Sequence, residues 1–161
     1  MGLPVVILRL FNTVGPRQSS RYGMVLPRFV SQALENSPIT IYGDGLQTRC
    51  FTDVKDVVSA MIRINQNHSA IGEIFNLGNH RSEQLMELIA LIEKNLGKKA
   101  IINFQPLQPG DVTESFANIE KSIEMLNFKP KNIIFFKKMS PKIRTLCIHH
   151  RVREIRRLQE K

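Results

Sequence analysis

Pro4-Val5-Val6-Ile7-Leu8-Arg9-Leu10-Phe11 (PVVILRLF, residues 4–11) decides the fold class. The stretch is apolar on both alternations except at Arg9. A strand covered on both faces reads this way, as in a parallel sheet flanked by helices. A polar loop follows from Asn12 to Arg21, with Gly15-Pro16 as its breaker. The strand starts four residues in, and its two apolar faces imply neighbours that these residues need not all supply.

Working outward, Met24 to Leu34 carries apolar residues at close to helical spacing, and Pro27 is tolerable there only near the first turn. Pro38 opens a short strand, Ile39 to Tyr42, closed by Gly43-Asp44-Gly45. Asp53 is the expected N-cap of a helix burying Val57, Val58, Met61 and Ile62, with Asp56 in its first turn, where the helix dipole favours an acid. Glu73 to Leu77 reads as a strand ended by Gly78-Asn79. Ser82 is the expected cap of the clearest helix, whose stripe is Leu85, Leu88, Ile89, Ile92 and Leu96 and whose stop is Gly97. Ala100 to Phe104 is a further strand and Ile119 to Leu126 a final helix. Strands alternate with helices, so the class is α/β.

The chain has 161 residues, 42% hydrophobic and 23% charged, which suits one ordinary domain. Its net charge of +9 first suggests a nucleic-acid partner. Location changes that reading. Residues 1–130 hold 13 Lys/Arg against 12 Asp/Glu, whereas residues 131–161 hold 10 against 2. The basicity belongs to a tail, and the body is nearly neutral. No apolar run approaches the roughly 18 residues of a membrane span. No secretory signal pattern opens the chain, and Val6 stands where a myristoylation motif wants Ser or Thr. Cys50 and Cys147 are too few for a disulfide framework or a four-thiolate zinc site. A reduced, cytoplasmic setting is the expectation.

Two segments could carry chemistry. Asn12 follows the first strand, and in open α/β sheets ligands bind beyond the carboxyl ends of strands. Its amide can donate and accept, which suits a sugar hydroxyl or a phosphate oxygen; equally, Asn12 can simply support the turn, and alone that reading is favoured. Arg49 lies between a glycine turn and a helix start, where a guanidinium can clamp a diphosphate bidentately. The ordinary alternative pairs it with Asp44 or Asp53.

Together these segments resemble the C-terminal half of extended short-chain dehydrogenases acting on nucleotide sugars. That family includes UDP-glucose 4-epimerases, UDP-glucuronate decarboxylases and epimerases, and dTDP-glucose dehydratases. The blocks that carry the resemblance are LRLFNTVGPRQ, GMVLPRFVSQAL, ITIYGDGLQTRCFTDVKDVV, GEIFNLGN and QPGDVTESFANIEKSIEMLNFKP. They are collinear over about residues 3–130. The resemblance implies the substrate-binding part of a Rossmann-type fold without its N-terminal dinucleotide-binding part. It implies that Asn12 contacts the diphosphosugar and that the Leu10-Phe11 backbone passes near the nicotinamide end of NAD. It also implies that Val25 to Phe29 form the substrate-closing segment and that Thr40, Ile41 and Tyr42 line the nucleotide base. Arg49 would bind the diphosphate and Asp111 would lie near the ribose. Gln108 stands where some relatives have arginine, which puts a second diphosphate clamp in doubt. The substrate class implied is a UDP-sugar or dTDP-sugar, and family members are often homodimers.

The departures are as informative. No Gly-x-x-Gly-x-x-Gly turn occurs. The family's Tyr-x-x-x-Lys pair is missing too, because Leu26 and Leu46 follow Tyr22 and Tyr42 at the lysine spacing. By the family's order the chain begins just after that lysine, so the expectation is a truncated epimerase or dehydratase (an isomerase or lyase), inactive alone. The alternatives are a module complementing a separately encoded Rossmann half and, less favoured, a basic RNA-binding protein. The tail from Lys131 does not resemble the family. Within it Val152, Ile155 and Leu158 have helical spacing, Phe135 and Phe136 are poor provision for base stacking, and Cys147, His149 and His150 lack a fourth metal ligand. The expected domains are therefore residues 1–130 and the tail 131–161.

Overall fold

The computed structural model describes residues 3–16, 18 and 24–130. The expectations for the tail, and for Tyr22 and the loop around it, lie outside the described residues. In chain order the elements are β1 (Ile7–Leu10), β2 (Thr13–Val14), α1 (Val25–Leu34), β3 (Ile39–Tyr42), β4 (Thr48–Cys50), β5 (Thr52–Asp53), α2 (Val54–Asn65), a 3-10 turn (His68–Ala70), β6 (Ile74–Leu77), β7 (Ser82–Gln84), α3 (Leu85–Leu96), β8 (Ile102–Gln105), β9 (Glu114–Ser115) and α4 (Glu120–Leu126). The fold is α/β, and the strand pairs that carry a register are parallel. The elements form two compact units.

The first unit takes the chain up to Val14, then Thr48–Glu83, then the segment from Thr113. β1 runs beside β6, with Ile7 opposite Ile74 and Leu10 opposite Leu77. β2 lies beside β5, and β4 sits between β7 and β9. Asp53 caps α2 as its sequence suggests, its carboxylate accepting from the Lys55 N–H at 2.8 Å. Val57, Ala60, Phe75, Leu77, Ala117, Ile119, Leu126 and Phe128 form the core. Arg63 at the end of α2 donates to the Leu126 carbonyl at 3.2 Å, which ties α2 to the end of α4.

The expected burial of α2 needs correction. Val57 is buried, but Val58, Met61 and Ile62 are 47%, 45% and 56% exposed. The stripe that meets the core is Val57, Ala60 and Ile64. At about 100° per residue, Val58 and Ile62 stand roughly 100–140° round from Val57, outside that stripe. β1 likewise is not covered on both faces: Ile7 and Leu10 are 52% and 48% exposed, and β6 is its one strand partner among the described residues.

The second unit takes Gly15–Gln47 and Gln84–Val112. β3 and β8 pair from Ile39–Ile102 to Tyr42–Gln105, and α1 packs on both β3 and α3. Leu26, Phe29, Val30, Ile39, Ile41, Leu88, Ile89 and Ile92 are its buried centre. Pro27 is the third residue of α1, where the absent N–H breaks no helical bond. Gly97 ends α3 in the left-handed region at φ 67°, as its place in the pattern requires. Ser82, however, is not the cap: Gln84 occupies that position, and Ser82 belongs to β7 with its hydroxyl 3.4 Å from the Cys50 sulfur.

Candidate functional site

In the first unit the site begins where β1 ends. The Phe11 N–H donates to the Leu77 carbonyl at 3.0 Å, which continues the β1–β6 ladder one residue past the strand. The chain then turns at Asn12, whose φ is 38°, a left-handed value that asparagine tolerates better than most residues. Two bonds from Thr52 fix the turn. Its hydroxyl donates to the Phe11 carbonyl at 3.0 Å and its N–H to the Asn12 carbonyl at 3.2 Å. Asn12 is half-buried. Its main chain therefore supports the turn, and its side-chain amide has no hydrogen bond to another described residue.

Arg49 sits in β4. Its Nη1 donates to the Thr48 carbonyl at 2.8 Å and to the Thr113 carbonyl at 3.4 Å. No ion pair involves it among the described residues. Neither acid named as its ordinary partner takes that role: Asp44 accepts from the Leu46 N–H at 2.9 Å, and Asp53 caps α2. Neutral carbonyls orient one nitrogen of the guanidinium, and no acid among the described residues compensates its charge. A planar donor fork with a free positive charge matches phosphate oxygens.

In the second unit the strand residues Thr40, Ile41 and Tyr42 lie along β3. Ile41 is fully buried, while Thr40 and Tyr42 are half-buried on the other alternation. Val25 is the first residue of α1. Asp111 is exposed after Gly110, its N–H donating to the Gln108 carbonyl at 3.1 Å.

Arg28 lies within the 25–29 segment without a role of its own in the sequence reading, and Gln32 lies outside the expected site, yet both reach β3. Arg28 donates to the Thr40 carbonyl at 3.3 Å and places its guanidinium 5.4 Å from the centre of the Tyr42 ring. Gln32 exchanges two 3.4 Å bonds with Thr40. Their spacing of four on α1 was the available signal, because i and i+4 share one helix face. Thr52 was missed for a different reason, since nothing local to it announces bonds to residues 11 and 12.

The model of the NAD dependent epimerase/dehydratase family matches residues 1–78. The chain is 36% identical over 129 residues to an uncharacterized UDP-glucose epimerase, YtcB, of Bacillus subtilis (strain 168), which is 80% of this chain and 40% of that protein. It is 38% identical over 130 residues to UDP-glucuronic acid decarboxylase 1 of Arabidopsis thaliana, 81% of this chain and 29% of that one. Among solved structures, UDP-glucuronic acid 4-epimerase from Bacillus cereus, in complex with UDP-glucuronic acid and NAD, superimposes with a TM-score of 0.74 at 36% identity. That match covers 80% of this chain and 41% of the other. With these five blocks, this α/β architecture and these matches, the chain is similar to the NAD-dependent epimerase/dehydratase family and spans less than half the length of the relatives it matches.

Proposed function

We propose that residues 1–130 are the nucleotide-sugar-binding part of an NAD-dependent epimerase or dehydratase, taking a UDP-sugar, with a dTDP-sugar as the alternative. The observation that carries this reading is Arg49, a guanidinium oriented by two carbonyls and paired with no acid among the described residues. In the first unit, Arg49 clamps the diphosphate and the Asn12 amide contacts the diphosphosugar. In the second, Thr40, Ile41 and Tyr42 receive the base, Val25 opens the segment that closes over substrate, and Asp111 lies near the ribose.

NAD fits the described residues poorly. Leu10 offers an exposed apolar side chain, but the Phe11 N–H and carbonyl are both used within the chain. With no Gly-x-x-Gly-x-x-Gly turn in the sequence to receive a pyrophosphate, these residues give a dinucleotide a wall and no cradle. No hydride step is assigned to them. Acid–base chemistry by a Tyr-x-x-x-Lys pair likewise needs residues other than these 161.

A second reading, a module that works with a separately encoded dinucleotide-binding polypeptide, is favoured by the exposed apolar side chains of Ile7, Leu10, Val58, Met61 and Ile62. Co-expression with such a polypeptide tests it, and failure to co-purify counts against it. For the main reading, calorimetric titration with UDP and with uridine is the test. UDP is expected to bind at least about tenfold more tightly, since a charged hydrogen bond is worth about 1.5–3 kcal/mol. Equal affinity for the two, or no binding of UDP, overturns it. The pure chain is expected to show no turnover of a UDP-sugar with NAD.

A further inference from the structure

The end of β1 is held by a buried polar arrangement. Thr52 is fully buried. It lies opposite Thr13 in the β2–β5 pair, so it reaches the 11–13 turn from the neighbouring strand. Its hydroxyl and its N–H go to two successive carbonyls, those of Phe11 and Asn12. On the preceding residue, the Phe51 carbonyl accepts from the Asn79 side-chain amide at 3.1 Å, and Asn79 is itself buried. β5 is thus anchored from one side by Asn79 and grips Asn12 from the other. Threonine suits this task better than serine, because its branched β-carbon restricts χ1 and keeps the hydroxyl aimed without an entropic cost at each visit. Valine would fill the same volume and leave the Phe11 carbonyl without that donor.

We propose that Thr52 is a positioning residue for nucleotide-sugar recognition, holding Asn12 in its left-handed conformation so that the free amide is presented to the ligand. The proposal rests on the reading of Asn12 as a diphosphosugar contact. Thr52 itself touches no substrate. Its effect on affinity passes through residue 12 alone, and this separates it from a residue that merely stabilises the fold.

The experiment uses the full 161-residue chain and two readouts, in wild type, Thr52→Val, Thr52→Ser, Asn12→Gly and the Asn12→Gly/Thr52→Val double variant. Asn12→Gly removes the amide while tolerating the positive φ. The first readout is the pair of Asn12 Cα and Cβ chemical shifts, which report φ and need no ligand. They are expected to move in Thr52→Val and to stay near wild type in Thr52→Ser. The second is UDP affinity by calorimetry. Thr52→Val is expected to weaken binding about tenfold, the scale of one hydrogen bond's positioning, and to have no effect in the Asn12→Gly background. Unchanged Asn12 shifts in Thr52→Val overturn the proposal whatever the affinity does. So does an equal fall in affinity in both backgrounds, which marks a general structural role. If the shifts move as expected but wild type binds no UDP, the Thr52–Asn12 coupling stands and the nucleotide-sugar reading fails.

Discussion

Gly78 closes β6 where three segments of the first unit meet, and replacing it with alanine tests that packing. A Cβ there would stand 2.8 Å from the Ala117 Cβ, 3.4 Å from the Phe11 Cβ and 3.6 Å from a methyl of Ile119. The first distance is far inside ordinary carbon contact. Ala117 has no rotamer through which to retreat, and it belongs to the buried core, so backbone must move. Overpacking of this kind costs about 1–3 kcal/mol. For a chain of this size each kcal/mol lowers Tm by about 4 °C, so Gly78→Ala should lose about 4–12 °C in thermal unfolding followed by circular dichroism. Ala117→Gly removes the obstructing methyl. The double variant should therefore recover part of the loss, with a coupling of about 1 kcal/mol in urea denaturation, within the range for contacting residues. A Gly78→Ala chain as stable as wild type, or two substitutions that simply add, would refute the close approach of β6 to the 117–119 segment.

Other consequences can be measured separately. Asp53→Ala removes the cap bond to Lys55 and should cost about 1 kcal/mol in denaturant unfolding, most of it kept by Asp53→Asn. The double change Val58→Ser and Ile62→Thr should leave stability within about 0.5 kcal/mol per site, because these side chains stand outside the stripe that meets the core, and should reduce self-association in sedimentation. Loss of folding in that variant would mean the α2 face is buried. The Glu93 carboxyl is held below the ordinary glutamate range by its bond to Lys99 at 2.9 Å and then by the Ala100 N–H at 2.8 Å. Because its folded-state pKa is depressed, the small stabilisation is complete above the ordinary glutamate range and disappears as pH falls through the lowered value. Lys99→Met should raise the Glu93 titration toward the ordinary range in side-chain carboxyl NMR; an unmoved titration contradicts the pairing.

The parts of the fold legible in the sequence are those whose pattern is long enough to be periodic. β1, β3, β6 and α3 fall where alternation or the Leu85–Leu96 stripe puts them, and Asp53 and Gly97 mark helix ends for reasons local to the backbone. β2, β4, β5, β7 and β9 are two or three residues long, and pairs such as Thr48–Glu114 are set by partners far along the chain. No local period announces them, and Ser82 looked like a helix cap for that reason. The exposure of Val58, Met61 and Ile62 was illegible on different grounds: periodicity marks an apolar face without saying whether the chain contains what covers it. Arg49 was visible as a cation between a glycine turn and a helix. Its freedom from Asp44 and Asp53 was not, since it depends on both acids being engaged by backbone N–H groups.

The most direct test of the central claim is UDP affinity of the full chain with and without the Arg49 guanidinium. Calorimetry of wild type and Arg49→Ala, run beside uridine as the ligand lacking the diphosphate, isolates the proposed contact. The account predicts that Arg49→Ala weakens UDP binding by about 1.5–3 kcal/mol, the worth of a charged hydrogen bond, and leaves uridine unaffected. A UDP affinity identical in the two proteins would contradict the assignment of Arg49 to a diphosphate, and with it the nucleotide-sugar reading of this chain.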